Sequence, residues 1–179
     1  MYKLKFTRLQ SEIFRLLCIK TGITLNQRQI AKFLKVSPTA IAKSLFLLEK
    51  ESMIKINKNN EMNLNLIKLN RDNKKTLELK RIENLKTLIE SNLISFLEES
   101  FPGSTIILFG SFSKGDDIST SDIDIAIIEH KGKNINLEKY EKLLEKNINL
   151  NFYFSFKEID RYLKSNILNG ILLSGGIEI

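Results

Sequence analysis

Apolar residues recur at helical intervals through the first fifty positions of this chain and divide that stretch into three short segments. Because a spacing of three or four residues places side chains on one face of a helix, we predict helices over about 8–20, 27–34 and 38–50. Ser37 and Pro38 suit the N-cap and the first position of the third helix. The predicted inward residues are Leu9, Ile13, Leu16 and Leu17, then Ile30, Phe33 and Leu34, then Ile41, Leu45 and Leu48.

The pattern changes after residue 52. Met53 to Asn57 and Met62 to Leu66 alternate apolar and polar residues about the turn 58–61, as the strands of a hairpin do. Residues 72–99 then contain no glycine or proline and repeat apolar positions at helical spacing. This predicts one long helix that ends before Pro102.

The last third of the chain mixes short apolar runs with amphipathic segments. The runs predict buried strands over 106–109 and 123–128 and a final strand near 171–173. Alternation over 148–154 predicts a further strand that buries Ile148, Leu150, Phe152 and Phe154. Helical spacing predicts helices over 137–146 and 156–166, the second with Ile159, Tyr162 and Leu163 inward.

Charge is distributed unevenly along the 179 residues. Residues 1–70 carry 13 Lys and Arg against 4 Glu and no Asp, residues 71–103 carry 6 against 6, and residues 104–179 carry 9 against 11. A basic excess in one segment favours a polyanionic partner, usually nucleic acid, with a solubilising face as the alternative.

The single cysteine allows no internal disulfide, and no stretch approaches the roughly 20 apolar residues of a membrane span. We expect a cytoplasmic protein with two small domains and no membrane partner.

The first domain resembles the winged helix-turn-helix family of DNA-binding domains over residues 8–68, because the helix spacing, the capped third helix and the hairpin all match. The resemblance implies that the third helix enters the major groove of double-stranded DNA and that the hairpin, or wing, lies along the DNA backbone. The alternative is a winged helix that mediates protein contacts. The implied DNA-binding residues are Ser37, Thr39, Ala40, Lys43 and Ser44 on the third helix, and Lys55 and Lys58 on the wing.

A glycine turn and two closely spaced carboxylates follow the apolar run 106–109. Glycine at position 110 would let a phosphate approach backbone N–H groups, and the Ser111 hydroxyl can donate to a phosphate oxygen. Asp122 and Asp124 stand two residues apart at the start of the next strand, so both carboxylates point to the same side. Two hard oxygen ligands bind Mg²⁺, and water and substrate phosphates take its other coordination positions.

Gly110, Ser111, Gly115, Asp122 and Asp124, in this order, closely resemble the signature of the nucleotidyltransferases of the DNA polymerase beta superfamily, from about residue 103 to the end. The resemblance implies a minimal α/β domain on a short mixed sheet, with Mg²⁺ or Mn²⁺ held by the aspartates and a nucleoside triphosphate held by the glycine turn. Lys114 is either a phosphate contact or an exposed loop lysine. An active domain would transfer a nucleoside monophosphate to a hydroxyl of a protein or nucleic acid.

The third carboxylate of that family, carried by a later strand, has no match here. The strand over 148–154 presents Asn149 and Asn151 outward, and Asn149 is the closest counterpart. Its amide oxygen can coordinate a cation, but it brings no negative charge and cannot accept a proton as a carboxylate does. This replacement weakens the case for two-metal catalysis.

The sequence thus predicts an α+β chain with a winged helix-turn-helix over 1–70, a connecting helix over 71–102 and a nucleotidyltransferase domain over 103–179. Three functions stay open: a DNA-binding nucleotidyltransferase, a transcription regulator whose second domain only binds nucleotide, and an antitoxin-like module that acts on a partner protein. The apolar stripe of the connecting helix would fit the chain's own domains or a second copy, and we favour a homodimer.

Overall fold

The computed structural model describes residues 6–59 and 64–177 and divides the chain into two compact units, 1–80 and 81–179. The first unit contains α1 (Arg8–Ile19), β1 (Leu25–Asn26), α2 (Gln27–Leu34), α3 (Pro38–Lys50), β2 (Ile54–Asn59) and β3 (Leu64–Leu69). Helix α4 (Lys74–Glu90) begins in the first unit and continues into the second.

Side-chain caps define where the first three helices begin. Thr7 and Asn26 each form a capping box, in which the cap accepts a backbone N–H while the N3 glutamine returns a bond to the cap. Ser37 accepts the N–H of Ala40 at 3.2 Å, and Pro38 occupies the first helical position. The three predicted helices and the Ser37 cap are confirmed.

The helices pack around one apolar core. Ile13, Ile30 and Ile41 are each 0% exposed, as the predicted inward faces require. Phe33 is an exception, because it is 52% exposed and lies under the Lys20 ammonium at 5.5 Å from the ring centre. The prediction that Phe33 is buried was wrong, since α2 turns a different stripe, which includes Ile30 and Ala31, toward the core.

A small antiparallel sheet completes the first unit, in the order β1-β3-β2. Strand β1 is only two residues long, which is too short for a periodic signal, and it was not predicted. Strand β2 continues through Lys58 and Asn59, so the predicted start of the turn at residue 58 was wrong. The rest of that predicted turn, together with Met62, falls on residues 60–63, outside the described residues.

The second unit is built on a four-stranded mixed sheet. Its elements are α5 (Leu93–Ser100), β4 (Thr105–Phe109), α6 (Gly110–Lys114), β5 (Ile123–Ile128), α7 (Glu138–Leu144), β6 (Ile148–Tyr153), α8 (Arg161–Leu168) and β7 (Ile171–Ser174). The strand order is β6-β5-β4-β7, with β6 parallel to β5 and the other pairs antiparallel. The predicted strands and mixed sheet are confirmed.

The single long helix predicted over 72–99 was wrong, because α4 ends at Glu90 and α5 begins at Leu93. Asn92 adopts a left-handed conformation with φ of 59°, which asparagine tolerates better than most residues. The Ser91 hydroxyl donates to the carbonyl oxygen of Leu88 and accepts the N–H of Leu93, so the break keeps its polar groups paired. Leu93 and Leu97, both 0% exposed, thereby point into the core of the second unit, whereas Ile82 and Ile89 remain 60% and 58% exposed.

The predicted helix over 156–166 is also interrupted. A 3₁₀ turn over Phe156–Glu158 is followed by α8, whose N-cap Asp160 accepts the N–H groups of Tyr162 and Leu163. Tyr162 is 88% exposed at the start of α8, and Phe154 is 55% exposed just beyond the end of β6. The predicted burial of these two side chains was wrong. No helix of the described residues is long and apolar enough to cross a membrane.

Candidate functional site

The paired aspartates meet a third polar side chain across the sheet. Parallel pairing of β5 and β6 places Asp124 directly beside Asn149. The Asn149 side-chain Nδ2 donates to Asp122 Oδ2 and to Asp124 Oδ1, both at 3.2 Å. Asn147 Nδ2 donates to the other Asp122 oxygen at 3.1 Å. Both carboxylates therefore converge on one point, as the i, i+2 spacing predicted.

This arrangement fits a divalent cation. The Asn149 amide nitrogen, which is partly positive, lies between the two carboxylates. Rotating that amide by 180° would place its oxygen there instead. The set would then be two carboxylate oxygens and one amide oxygen, which are ligands that Mg²⁺ takes. Within residues 6–59 and 64–177 no group of three His, Cys, Asp or Glu residues could hold a metal ion, so the charged groups of this site are two carboxylates.

Gly110 adjoins the same carboxylates. Its φ is +75°, and a Cβ built there would lie 2.6 Å from Asp124 Oδ2. Any other residue would therefore adopt a strained backbone and displace a carboxylate of the site. The sequence suggested glycine for the approach of a phosphate, and the structure adds the approach of Asp124 as an independent reason.

The other predicted phosphate residues lie on α6, the short helix that begins at Gly110. Ser111 is half-buried directly beside that glycine. Ser113 is 1% exposed, and its hydroxyl donates to the Gly110 carbonyl oxygen at 2.8 Å. Lys114 is exposed, and its Nζ donates to Asn166 Oδ1 at 3.0 Å. Gly110 thus lies at the carboxylate site with Ser111 next to it in the chain, whereas Lys114 is directed to α8.

A buried ion pair supports the segment between α6 and β5. Lys146 Nζ lies 3.3 Å from Asp117 Oδ2, and the two side chains are 4% and 1% exposed. The same ammonium donates to the carbonyl oxygens of Ile118 at 2.6 Å and Ser121 at 3.0 Å. Because Ser121 immediately precedes Asp122, Lys146 fixes the backbone that carries the first of the two aspartates.

Asn84 completes this network from α4. Its Nδ2 donates to Asp117 Oδ1 at 2.7 Å and to the carbonyl oxygen of Phe112 at 2.9 Å. The segment is therefore held at both of its ends. Sequence reasoning missed Asn84, Asp117 and Lys146, because the three residues are far apart in the chain and only folding brings them together.

A cavity of about 410 Å³ opens beside Asp122. It is lined by residues 119–121, by Asn147 and by polar side chains of α7 that include Glu138 and Glu141. The cavity therefore borders the carboxylate site on its Asp122 side.

The predicted DNA-binding residues of the first unit fall into two groups. Ser37, Thr39 and Lys43 are exposed on α3, whereas Ala40 and Ser44 are half-buried on its flank. The Ser44 hydroxyl donates to the carbonyl oxygen of Ala40 at 2.9 Å. Helix α3 therefore presents the first three residues to solvent more fully than the other two.

The two predicted wing lysines differ. Lys58 is exposed near the end of β2. Lys55 forms an ion pair with Asp72, and this ammonium holds the pKa of the Asp72 carboxyl below its usual value. Asp72 therefore stays ionised at neutral pH and offsets the charge of Lys55.

Together, the three-helix unit with its antiparallel wing and the mixed-sheet unit with its converging aspartates define a winged-helix protein with a nucleotidyltransferase-like domain. Residues 90–173 match the family model of the nucleotidyltransferase domain. The match confirms the predicted resemblance and includes α5, which the sequence had assigned to a connecting helix.

Solved structures similar to part of this chain include ZitR, a MepR–DNA complex and a putative nucleotidyltransferase. A mutant of ZitR from Lactococcus lactis is 22% identical with a TM-score of 0.42, covering 56% of this chain and 66% of that one. The MepR–DNA complex from S. aureus is 20% identical with a TM-score of 0.39, covering 53% and 81%. A putative nucleotidyltransferase from Sulfolobus solfataricus is 23% identical with a TM-score of 0.30, covering 54% and 84%. The chain thus spans just under two thirds of the ZitR mutant. No curated protein matches the sequence significantly.

Proposed function

We propose that this chain is a DNA-binding nucleotidyltransferase. Its second unit binds a nucleoside triphosphate with Mg²⁺ or Mn²⁺ and transfers the nucleoside monophosphate to a hydroxyl of a protein or nucleic acid. Its first unit binds double-stranded DNA. The observation that carries the transferase proposal is the convergence of Asp122 and Asp124 on one point, inside a domain that matches the nucleotidyltransferase family.

The reaction assigns a role to each polar group at the site. The acceptor oxygen bonds to the α-phosphorus, the bond from that phosphorus to the oxygen bridging to the β-phosphate breaks, and pyrophosphate leaves. Asp122, Asp124 and the Asn149 oxygen would hold the metal, which supplies charge stabilisation to the phosphates. Gly110 and Ser111 bind the β- and γ-phosphates through backbone N–H groups and the serine hydroxyl.

The proton of the acceptor hydroxyl has no carboxylate at position 149 to receive it. The neutral Asn149 amide is not a base at physiological pH, so the proton passes to water or to one of the two aspartates. We therefore expect slow transfer.

Asn149 also favours a second candidate function. In it the unit binds nucleotide without transferring it, and acts as the sensor of a DNA-binding regulator or as an antitoxin-like module for a partner protein.

Labelled nucleoside triphosphates distinguish these two functions. The full chain is incubated with each α-labelled triphosphate, Mg²⁺ or Mn²⁺, and duplex, single-stranded or protein acceptors, while binding is measured in parallel. Label in a covalent product with release of pyrophosphate supports the transferase. Metal-dependent binding without a product supports the sensor, and the absence of binding contradicts both.

Asn149→Asp should increase both metal binding and transfer. A third carboxylate adds negative charge beside Asp124 and provides a base for the acceptor proton, so we expect a rise of about tenfold or more in the transfer rate. The measurement is single-turnover transfer together with a Mn²⁺ titration. Asn151→Asp on the same strand adds the same charge and serves as the control. An equal response of the two variants would argue against a ligand role for Asn149.

The DNA-binding proposal is supported by the charge and exposure of the first unit. Residues 1–70 carry 13 basic against 4 acidic residues, and Lys43 and Lys58 are exposed on α3 and on the wing. Lysine beside a duplex neutralises phosphates and releases counterions, which provides affinity without sequence preference.

Asp72→Asn should strengthen duplex binding. The substitution removes a negative charge and frees Lys55 from its ion pair. We expect affinity to rise about threefold at low salt, because one more lysine contacts phosphate. The slope of log affinity against log salt concentration should become more negative by about one. Fluorescence anisotropy across a salt series measures both quantities. Glu12→Gln, which makes the same charge change on α1 beside Arg8, is the control. Equal effects of the two variants would place Lys55 away from the duplex.

A further inference from the structure

The outward face of α3 carries an aromatic ring among basic residues. Thr39, Lys43, Phe46 and Lys50 follow the spacing i, i+4, i+7 and i+11, which places them on one face of the helix. The inward residues Ile41, Leu45 and Leu48, 0%, 2% and 0% exposed, occupy the opposite face.

Phe46 is 70% exposed, more than any other large apolar side chain in the described part of the first unit. An exposed ring contributes nothing to the core, and transferring it out of water would be favourable. Its position on α3, the helix that the winged-helix resemblance places in the major groove, suggests that DNA provides the missing contact.

The charges around Phe46 select the partner. Lys43 and Lys50 lie on the same face, one before and one after Phe46, and both are exposed. A polyanion would satisfy these two ammonium groups. A second copy docked through the same face would bring like charges together, which disfavours it.

Duplex DNA offers one apolar group on the base edges of its major groove, the C5-methyl group of thymine, and phenylalanine is among the residues that contact it. We propose that Phe46 packs against thymine methyl groups in the major groove and gives the first unit a preference for thymine-containing sites. This inference rests on the proposed DNA binding by that unit and adds the base that it recognises.

Replacing thymine by uracil tests the contact, because uracil lacks only the methyl group. The full-length chain is titrated by fluorescence anisotropy, at fixed salt, against a duplex of alternating dA and dT and against the same duplex with dU for dT. The wild type should bind the thymine duplex tighter by about fourfold for each methyl group contacted. Phe46→Ala should lose that advantage and bind both duplexes with equal affinity.

Two matched variants separate this contact from general effects. Phe33→Ala removes another exposed ring, on α2, and should leave the thymine-to-uracil ratio at its wild-type value. Lys43→Ala should weaken binding to both duplexes equally, because it removes charge and leaves the methyl contact in place. Circular dichroism confirms that each variant keeps the wild-type fold.

The outcomes distinguish this inference from the proposed function. Equal binding of the two duplexes by the wild type overturns the thymine contact and leaves DNA binding standing. Absence of binding to both duplexes rejects DNA binding itself. If Phe46→Ala loses the same factor in affinity for both duplexes, the ring provides general contact area and the inference is overturned. If Phe46→Ala changes the sedimentation coefficient of the protein without DNA, the ring contacts a second copy and the inference is likewise overturned.

Discussion

Replacing both Asp122 and Asp124 by asparagine is expected to weaken Mg²⁺-dependent binding of nucleoside triphosphate by about a hundredfold or more and to abolish transfer. The two carboxylates are the charged groups that converge on the Asn149 amide, and asparagine keeps their size while removing both negative charges. The close contact between Gly110 and position 124 makes a shape-preserving substitution the informative one. Isothermal titration with nucleotide, in Mg²⁺ and in EDTA, measures the effect.

Two other carboxylates provide the matched control for this prediction. Glu129 and Glu158 are exposed and follow the far ends of β5 and β6, so the double variant Glu129→Gln, Glu158→Gln removes the same total charge away from the site. Nucleotide binding by this control should equal that of the wild type. If the control and the site variant lose the same affinity, binding depends on net charge and the metal assignment is rejected.

Lys146→Met should lower the free energy of unfolding of the second unit by about 3 kcal/mol, because breaking a buried ion pair leaves a buried charge less well compensated. Lys146 and Asp117 are almost completely buried, and the ammonium also satisfies two carbonyl oxygens before Asp122. We expect weaker Mg²⁺ binding in the folded variant, since the backbone that carries Asp122 loses its support. Urea unfolding measures the first effect, and a Mn²⁺ titration below the transition measures the second.

The same substitution four residues earlier, near the end of α7, is the control. Lys142 pairs with Glu138 at 2.5 Å, but the two side chains are 75% and 66% exposed, so Lys142→Met should cost at most about 0.5 kcal/mol. A double variant, Lys146→Met with Asp117→Asn, should cost less than the sum of the two single variants, because the two side chains interact. Strict additivity would contradict the coupling.

Local signals predicted most of the first unit and failed where the backbone departs from a regular repeat. Ser37 and Pro38 fixed the start of α3 correctly, because a cap acts within a few residues of the chain. The break at Asn92 escaped prediction, since asparagine occurs both within helices and in the left-handed conformation. Phe154 was predicted to be buried because the alternating pattern continues one residue beyond the end of β6. Tyr162 was predicted to be buried because the helical pattern was counted from residue 156, whereas α8 begins only at Arg161.

The sequence by itself determined the winged helix, the order of the glycine turn and the paired aspartates, and the lack of a third carboxylate on β6. These features depend on residues that are neighbours in the chain or share one element. Only the tertiary structure decided that Asn149 bridges both aspartates, that the Asp124 carboxylate excludes a side chain at Gly110, and that Lys146 supports Asp122. Those relations arise from pairing between strands and from a buried charge that must find its partner, and no local pattern encodes either.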